Sequence, residues 1–576
     1  MKVVLRFLKP YTWLVVIVVV LVSIQAGLNL YLPDLMADIV NKGIVRKDIP
    51  YIWHKGTWML IVSLAGVFAA VLSAYISAKV SALFSRDLRN AIFSKVQSFS
   101  LIEFEKFGTS SLITRTTNDV MQIQQTLVMF LRLVVLAPVM GIGGAIMAFS
   151  KDAKLSAVIL VSVPVLLGGM YFLVKLLAPS FKSLQKKIDR LNRVVRETIT
   201  GVRVIRAFNK DEEWKERFED VNIDLMRTAL KVFRIASMIF PLLLLVMNLT
   251  TIAVIWIGAK RIDAGAMQIG DMMAVMQYVL QILMSFIMIS IVFVFFPRAQ
   301  ISSERIAEVL NTQPTVKNPE DPITDAVKNG KVEFKNVTFR FPGAPSPVLK
   351  DISFNANPGE MTAIIGNTGS GKTTILNLIM RFYDPEKGEI LIDDINVKKM
   401  DLKSLRKSIG YATQKPAIFE ETIRENIRFG RNIPDSDIEK AAEIAQVMEF
   451  ASKMEKGLDT VISEGGTDLS GGQKQRISLA RAIADKCKIY MFDDTFSALD
   501  FKTDSKIRKR LREVTQNAVV IMVAQRVATV MNADKIIVLK DGKVECIGKH
   551  EELYRNCKVY RDIVLSQLSE EEANPA

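Results

Sequence analysis

The chain has 576 residues, of which 50% are hydrophobic, and its mean hydropathy is +0.24. These values exclude a single small domain and an ordinary soluble protein. The net charge of +15 is compatible with nucleic-acid binding, but the sequence has no basic motif interleaved with aromatic residues. We therefore predict no nucleic-acid partner, and we attribute the basic excess to loops that face anionic lipid headgroups.

Six apolar stretches of about 20 residues lie before residue 300, and each is long enough to cross the hydrocarbon core of a bilayer. They cover residues 13–32, 57–80, 127–150, 155–177, 235–258 and 272–296. The first follows a basic start, as a signal peptide would, but it is longer than a signal-peptide core and no small-residue cleavage site follows. We predict a retained span and six spans in total.

The distribution of lysine and arginine predicts the orientation of these spans. Residues 182–234 carry fourteen basic residues, whereas the three loops on the opposite side carry eight between them. Because basic loops stay on the cytoplasmic side, the N-terminus and everything after the sixth span should be cytoplasmic. We expect a multi-pass protein of a plasma membrane, the inner membrane of a bacterial cell.

One face of the sixth span combines methionine with glutamine. A spacing of three or four residues places these side chains together: Met273, Gln277, Gln281, Met284 and Met288. Glutamine is costly in lipid, so the face should line a cavity or a helix interface. Methionine adapts to varied apolar shapes and would suit a pocket for hydrophobic or amphiphilic substrates, while helix packing is the simpler explanation.

A polar segment with prolines, residues 312–328, predicts a linker between a membrane domain at 1–311 and a soluble domain at 329–570, followed by a tail at 571–576. All three cysteines lie in the soluble part: Cys487, Cys546 and Cys557. They lack the spacing of metal ligands, so we expect reduced structural thiols.

The run GNTGSGKTT matches the phosphate-loop pattern G-x-x-x-x-G-K-[ST]. It comprises Gly366, Asn367, Thr368, Gly369, Ser370, Gly371, Lys372, Thr373 and Thr374. An apolar strand at 361–365 precedes it and a helical pattern follows, so phosphates would lie at a helix N-terminus. In such loops the lysine reaches the β and γ phosphates and the hydroxyl after it binds Mg²⁺. An ordinary glycine-rich turn is the alternative.

A second glycine-containing helix start follows about a hundred residues later. It is LSGGQ, formed by Leu469, Ser470, Gly471, Gly472 and Gln473. The amide groups and dipole of such a helix start favour an anion. The apolar strand at 488–492 then ends in Asp493 and Asp494, and a carboxylate at such a strand end holds Mg²⁺ in P-loop ATPases.

The order of these motifs resembles the ATP-binding cassette (ABC) exporters, in which membrane and nucleotide domains are fused. Five motifs occur here in the same order as in that family: the phosphate loop, Gln414 in YATQKP, LSGGQ, the paired acids and SALD at 497–500. The resemblance implies six membrane helices joined to an α/β P-loop domain, with ATP and Mg²⁺ as ligands. It also implies that two nucleotide domains enclose ATP between the phosphate loop of one and the LSGGQ of the other, so this chain needs a second one.

The resemblance also assigns roles to individual residues. Thr373, Gln414 and Asp493 would support Mg²⁺. Phe341 stands where the family has an aromatic residue that stacks on adenine, and a phenylalanine that fills the edge of a β-sheet core is the alternative. Two segments, 103–111 and 201–208, resemble the coupling helices that dock on nucleotide domains, with Arg203, Arg206 and Phe208 as anchors; solvated basic loops are the alternative.

The chain departs from the family at two catalytic positions. Active members usually have glutamate where this chain has Asp494, and histidine where it has Gln525. An aspartate carboxylate would lie about 1.5 Å further from the attacking water, and a misplacement of this size can cost about a hundredfold in rate. Glutamine can bond a γ-phosphate but cannot carry a positive charge. We expect tight ATP binding with slow hydrolysis at this site.

These features predict one half of a heterodimeric multidrug-type exporter, whose LSGGQ serves the ATP site of its partner. A homodimeric exporter that tolerates both replacements is the nearest alternative. A lipid or peptide translocator with the same ATPase, and a nucleotide-gated channel or regulator, are the others.

Overall fold

The structure is a computed structural model that describes residues 2–569 and Ala573. Apart from Ala573, the predicted tail at 571–576 lies outside the described residues. The chain divides into two compact units. The first comprises residues 1–95 and 110–311, and the second comprises residues 96–109 and 312–576.

Helices form most of residues 2–311. In chain order they are α1 (Lys2–Leu5), α2 (Thr12–Asp38), α3 (Ile49–Gln97), α4 (Leu101–Phe107), α5 (Thr109–Thr114), α6 (Val120–Lys151), α7 (Ala153–Ala207), α8 (Asp211–Ser237), α9 (Ile239–Asp263) and α10 (Ile269–Asn311). Several of them continue into one another, so that six helical stretches are long and apolar enough to cross a membrane. Each contains one of the six predicted spans, and the prediction of six spans is confirmed.

The connections between these helices explain where they end. Asp152 caps α7 by accepting a hydrogen bond from the Leu155 backbone at 2.7 Å. Gly108, with φ of 73°, ends α4 in a conformation that costs glycine little. Asn209, with φ of 51°, lies in the turn between α7 and α8.

The segment at 201–208, which resembles a coupling helix in the sequence, does not form a short helix of its own, and this corrects the expectation of a separate helix there. Residues 201–207 form the last turns of the 55-residue helix α7, and the chain turns only at Phe208 and Asn209. No proline interrupts this stretch, and a single glycine costs a helix only about 1 kcal/mol. The other segment, at 103–111, does contain a short helix, α4.

The core of the first unit joins α2, α6, α7, α9 and α10 through buried apolar side chains, including Leu30, Leu166, Val254 and Ile282. The Tyr278 hydroxyl donates to the Leu30 carbonyl at 3.1 Å. At the ends of the spans opposite to the linker, Lys151 pairs with Asp34 and Asp271. These pairs neutralise charges where the helices leave the apolar region.

The second unit contains two β-sheets and the remaining helices. The strands are β1 (Val332–Phe339), β2 (Leu349–Ala356), β3 (Met361–Gly366), β4 (Lys387–Ile392), β5 (Ile395–Asn396), β6 (Ile409–Ala412), β7 (Ile489–Asp493), β8 (Val519–Val523), β9 (Lys535–Lys540) and β10 (Lys543–Gly548). The helices are α11 (Lys372–Ile379), α12 (Leu402–Lys407), α13 (Ile423–Arg428), α14 (Asp435–Ile444), α15 (Met448–Ala451), α16 (Gly471–Ile483), α17 (Phe501–Val514), α18 (Val527–Val530), α19 (His550–Asn556) and α20 (Lys558–Leu565).

The larger sheet has the order β10-β9-β3-β8-β7-β6 and is parallel except for β10. The smaller sheet is antiparallel, in the order β2-β1-β4-β5. The central strands β3, β7 and β8 are buried throughout, as expected of strands covered on both faces. Their carboxyl ends lie side by side, because Val523 is in register with both Ile364 and Asp493.

The cysteines do not all match the expectation of reduced thiols. Cys487 is a buried free thiol, whereas Cys546 and Cys557 form a disulfide with their Cα atoms 6.4 Å apart. Strand β10 runs antiparallel to β9 and helix α19 returns from it, which brings the two cysteines together across eleven positions of the chain.

Candidate functional site

The phosphate loop connects the end of β3 to the start of α11. Its tight path depends on glycine, because Gly369 and Gly371 have φ values of 83° and 96°. A Cβ atom on Gly366 would lie 2.3 Å from the Leu539 carbonyl oxygen. The loop therefore adopts the strand-loop-helix arrangement that directs backbone N–H groups towards a phosphate.

Lys372 lies inside this loop and bonds to it. Its Nζ donates to the carbonyl oxygens of Gly366 at 2.7 Å and Asn367 at 2.9 Å. Burial lowers the pKa of Lys372, against the opposing effect of Asp494 and Asp493. The buried Ser370 hydroxyl has no hydrogen-bond partner among the described residues. A buried amine and an unpaired hydroxyl in one loop fit a phosphate group, which would accept hydrogen bonds from both.

Asp493 and Thr373 form the pair that would hold Mg²⁺. The Thr373 hydroxyl donates to Asp493 Oδ1 at 3.0 Å. Burial raises the pKa of Asp493 to about 6. A carboxylate and a hydroxyl beside a phosphate loop are the oxygen ligands that Mg²⁺ uses together with substrate phosphates. The ion would supply positive charge at the phosphates.

Asp494 follows directly and has an unusual backbone. Its φ is 47°, and the residue is only 8% exposed. Aspartate is among the few non-glycine residues that adopt this conformation readily. Gln414 Nε2 lies 3.4 Å from Asp494 Oδ2, so the structure brings these two predicted residues together.

Gln525 lies after β8, the strand between β3 and β7. Its side chain is exposed and makes no hydrogen bond within residues 2–569 and Ala573. The sequence reasoning missed Gln567, whose side-chain amide bonds to the backbone on both sides of Arg526. No sequence signal links residues forty positions apart in this way.

The LSGGQ residues form the start of helix α16. Ser470 is the N-cap: its hydroxyl accepts from the Gln473 backbone at 3.3 Å, and the Gln473 side chain accepts from the Ser470 backbone at 2.7 Å. Gly471 is exposed and Leu469 is buried. A Cβ atom on Gly472 would lie 3.1 Å from the Ala498 carbonyl oxygen.

A second residue missed by the sequence reasoning connects this helix to Gln414. Gln475 Nε2 donates to the Gln414 carbonyl oxygen at 2.7 Å. The position of Gln475, two residues after the LSGGQ motif, would have been the only sequence hint. Helix α16, Gln414 and Asp494 are thus joined by consecutive contacts.

Phe341 is half-buried beside two aromatic rings. Its ring centroid lies 4.9 Å from that of Phe339 and 5.4 Å from that of Tyr383, both at nearly perpendicular orientations. This edge-to-face packing fixes the Phe341 ring and leaves it partly accessible. The arrangement is compatible with adenine stacking and with the alternative of a core-edge residue.

Helix α4 packs on the second unit, to which it belongs. Leu101 and Ile102 contact the core around β1 and β3. Glu103 accepts hydrogen bonds from the backbone and hydroxyl of Thr315, the latter at 2.6 Å, and the Tyr383 hydroxyl donates to Glu105 at 3.0 Å. By contrast, Arg203, Arg206 and Phe208 at the end of α7 are exposed, Phe208 by 72%.

The methionine and glutamine side chains of α10 lie on its more accessible face. Gln277 and Met284 are exposed, while Met273, Gln281 and Met288 are half-buried. Gln281 Nε2 donates to the Asn29 carbonyl at 3.3 Å, and Gln281 Oε1 is buried without a partner among the described residues. Gln281 therefore takes part in a helix contact, and one of its polar atoms remains available.

Family models match both halves of the chain. The ABC transporter transmembrane region matches residues 15–286, and the ABC transporter model matches residues 349–497. An ABC transporter ATP-binding protein of Mycobacterium tuberculosis is 38% identical over 568 residues, which are 98% of this chain and 97% of that protein. One of Bacillus subtilis is 37% identical, with 98% of both chains covered.

The fold is similar to the structure of a bacterial Atm1-family ABC exporter with ATP bound. The TM-score is 0.80 with 22% sequence identity, and the match covers 99% of this chain and 100% of that one. The predicted fold class, six membrane helices joined to an α/β nucleotide-binding domain, is confirmed. The protein is a multi-pass membrane protein with its ATP-binding domain in the cytoplasm. The chain belongs to the ABC transporter family, as an exporter half-transporter that couples ATP hydrolysis to transport.

Proposed function

We propose that this chain is one subunit of a heterodimeric exporter and that it carries the slowly hydrolysing ATP site. The observation that carries the proposal is the pair Asp494 and Gln525, which occupies the carboxyl edge of the sheet beside Lys372 and Asp493. Lys372, Ser370 and the loop amides bind the phosphates, while Thr373, Asp493 and Gln414 support Mg²⁺. The residues from Leu469 to Gln473 act on the partner's ATP.

Two features of the geometry support slow hydrolysis. The Asp494 side chain is shorter than that of glutamate, and its Oδ2 lies 3.4 Å from Gln414 Nε2, a protein group that competes with water for the carboxylate. The Gln525 amide can donate a hydrogen bond to a γ-phosphate but adds no positive charge. ATP in this site would therefore hold two nucleotide domains together for longer than one catalytic cycle of the partner.

The transported compound belongs to the class of amphiphilic, multidrug-type molecules. A cavity of about 790 Å³ between α6, α7 and α10 is lined by apolar side chains, among them Ile142, Val163 and Phe286. This volume suits a drug-sized ligand. The methionines and glutamine amides of α10 do not line this cavity, and their more accessible face of the helix would offer a separate contact that combines apolar surface with hydrogen-bonding groups.

The test of the heterodimer uses the full-length chain purified with and without a copurifying partner, which mass spectrometry would identify. We expect slow ATP hydrolysis by the chain alone and fast hydrolysis by the complex. In the complex, Asp494→Ala should lower turnover far less than removal of the matching acid in the partner. Fast turnover of the chain alone that Asp494→Asn abolishes would show a homodimeric exporter instead.

The substrate class has a separate test. Gln281→Leu should change the concentration dependence of dye efflux by the complex in proteoliposomes. An unchanged profile for several amphiphilic dyes would exclude the α10 face as a substrate contact.

A further inference from the structure

Gln567, beyond the end of α20, contacts the segment that carries Gln525. Its Oε1 accepts a hydrogen bond from the Val527 backbone N–H at 2.8 Å, and its Nε2 donates to the Gln525 carbonyl oxygen at 2.9 Å. The two bonds lie on either side of Arg526. The side-chain amide of Gln567 thus bonds to one backbone carbonyl and one backbone N–H of the connection between β8 and α18, the same two kinds of group that a neighbouring strand would bond.

Two further backbone hydrogen bonds hold this connection: the Ala524 N–H donates to the Ile364 carbonyl at 3.2 Å, and the Thr529 N–H donates to the Arg526 carbonyl at 3.2 Å. Ala524 and Val527 are buried, but Gln525 and Arg526 are exposed. The Gln525 side chain makes no hydrogen bond within residues 2–569 and Ala573, so the hydrogen bonds that hold this residue are made by its backbone. The carbonyl that Gln567 holds belongs to that same residue.

Gln567 is itself firmly attached to the second unit. Its backbone N–H donates to the Val564 carbonyl at 3.0 Å, and both Val564 and Tyr560 are fully buried. The Tyr560 hydroxyl lies 2.7 Å from His550 Nδ1 in α19. The final helices therefore provide a stable platform for the Gln567 side chain.

We infer that Gln567 is a positioning residue for the ATP site: it fixes the Gln525 peptide and thereby aims the Gln525 amide at the γ-phosphate position. This inference rests on the proposed role of Gln525. Gln567 is not among the proposed phosphate or Mg²⁺ ligands, and it acts through the backbone of the 524–527 segment.

Three variants of the full-length protein separate positioning from general stability. Gln567→Met keeps the length of the side chain and removes both hydrogen bonds. Gln567→Glu keeps the acceptor for Val527 and places a carboxylate oxygen against the Gln525 carbonyl. Gln516→Met is the matched control, because Gln516 is an exposed glutamine of the same unit without a side-chain hydrogen bond among the described residues.

The first measurement is hydrogen exchange of the Val527 amide. A typical hydrogen bond is worth about 1 kcal/mol, so Gln567→Met should speed exchange at Val527 roughly fivefold or more, while Gln516→Met leaves it unchanged. Unchanged exchange in Gln567→Met would overturn the inference.

The second measurement is a double-mutant cycle on ATP turnover by the full-length chain purified without a partner, in which its own ATP site is the one that hydrolyses. Gln567→Met and Gln567→Glu should each lower turnover roughly fivefold in the native background and not at all in a Gln525→Ala background. Additive losses would overturn the inference. If Gln525→Ala alone leaves turnover unchanged, the proposed role of Gln525 fails, and with it the inference, even where exchange shows that Gln567 holds the segment.

Discussion

Gln414 Nε2 and Asp494 Oδ2 lie 3.4 Å apart, eighty positions from one another in the sequence, and the Gln414 carbonyl oxygen accepts a 2.7 Å hydrogen bond from Gln475. Gln475 is the fifth residue of α16, the helix that begins after Ser470. The start of α16 and the acidic residue after β7 are therefore connected through one glutamine. A movement of α16 would displace Gln414 relative to Asp494.

This connection predicts the effect of Gln475→Met. The variant loses one hydrogen bond to Gln414, but it also removes Gln475 Oε1, a buried acceptor without a partner among the described residues. We expect the free energy of unfolding to change by less than about 1 kcal/mol and the slow ATP turnover of the chain purified without a partner to fall roughly fivefold. Thermal unfolding and ATPase assays on the same sample check this. Equal turnover of variant and native protein would contradict the prediction.

The two unusual residues of the ATP site predict a gain of activity. Asp494→Glu combined with Gln525→His should raise ATP turnover of the chain purified without a partner by roughly tenfold. The gain should stay below the hundredfold that a one-carbon displacement can cost, because glutamate adopts the positive φ of position 494 less readily than aspartate. Steady-state ATPase measurements with Asp494→Asn as the control decide the outcome. Unchanged ATP turnover would show that Asp494 and Gln525 already support full hydrolysis in the native chain.

Helix α4 offers a prediction that needs no substrate. Tyr383 is 2% exposed, and its hydroxyl donates to Glu105 at 3.0 Å; burial, followed by this bond, raises the pKa of Tyr383. Tyr383→Phe keeps the ring packing on Phe341 and should cost about 1 kcal/mol of stability, with ATP affinity unchanged.

The control for Tyr383→Phe is a double-mutant cycle with Glu105→Ala. The two substitutions should be non-additive in the thermal unfolding of the second unit, since each removes the same bond. Additive effects would show that the bond contributes nothing.

The disulfide predicts how many cysteine thiols react with a thiol reagent. Protein purified under oxidising conditions, once unfolded, should react with one equivalent of a thiol reagent, and after reduction with three. In the folded protein Cys487 should react very slowly, because burial raises the pKa of its thiol to about 12.

Reduction should also destabilise the second unit. A cross-link that closes a loop of eleven residues contributes up to about 3 kcal/mol to the free energy of unfolding. The cytoplasm keeps most cysteines reduced. Protein isolated in the presence of reductant, which preserves that state, should therefore show three reactive thiols after unfolding. Cys546→Ser is the matched variant, and reductant should leave its unfolding temperature unchanged.

Local features of the sequence were sufficient for the fold class. Three features indicate the fold, and each depends on residues close together in the chain. They are the apolar stretches of membrane-span length, the glycine-rich phosphate loop that leads to Lys372, and the helix start at Ser470. The proximity of Thr373 to Asp493 could also be predicted, because both follow central parallel strands.

Other features depend on contacts between distant residues and carry no local signal. Gln475 and Gln567 look like ordinary surface glutamines in the sequence, and only the fold places their amides against Gln414 and Gln525. The Cys546–Cys557 pairing requires the return of α19 along β10. The continuation of α7 through residue 201 was not predicted, because the polar composition of residues 201–208 resembles that of a separate coupling helix.

The assignment of residues 96–109 to the second unit has a practical consequence for anyone who wishes to study the ATPase in isolation. A fragment that begins at residue 312 would lack Leu101 and Ile102, which cover part of its core. It would also lack Glu103, the hydrogen-bond partner of Thr315. Its exposed apolar surface would favour aggregation. Supplying residues 96–109 as a peptide in trans should restore a monodisperse fragment.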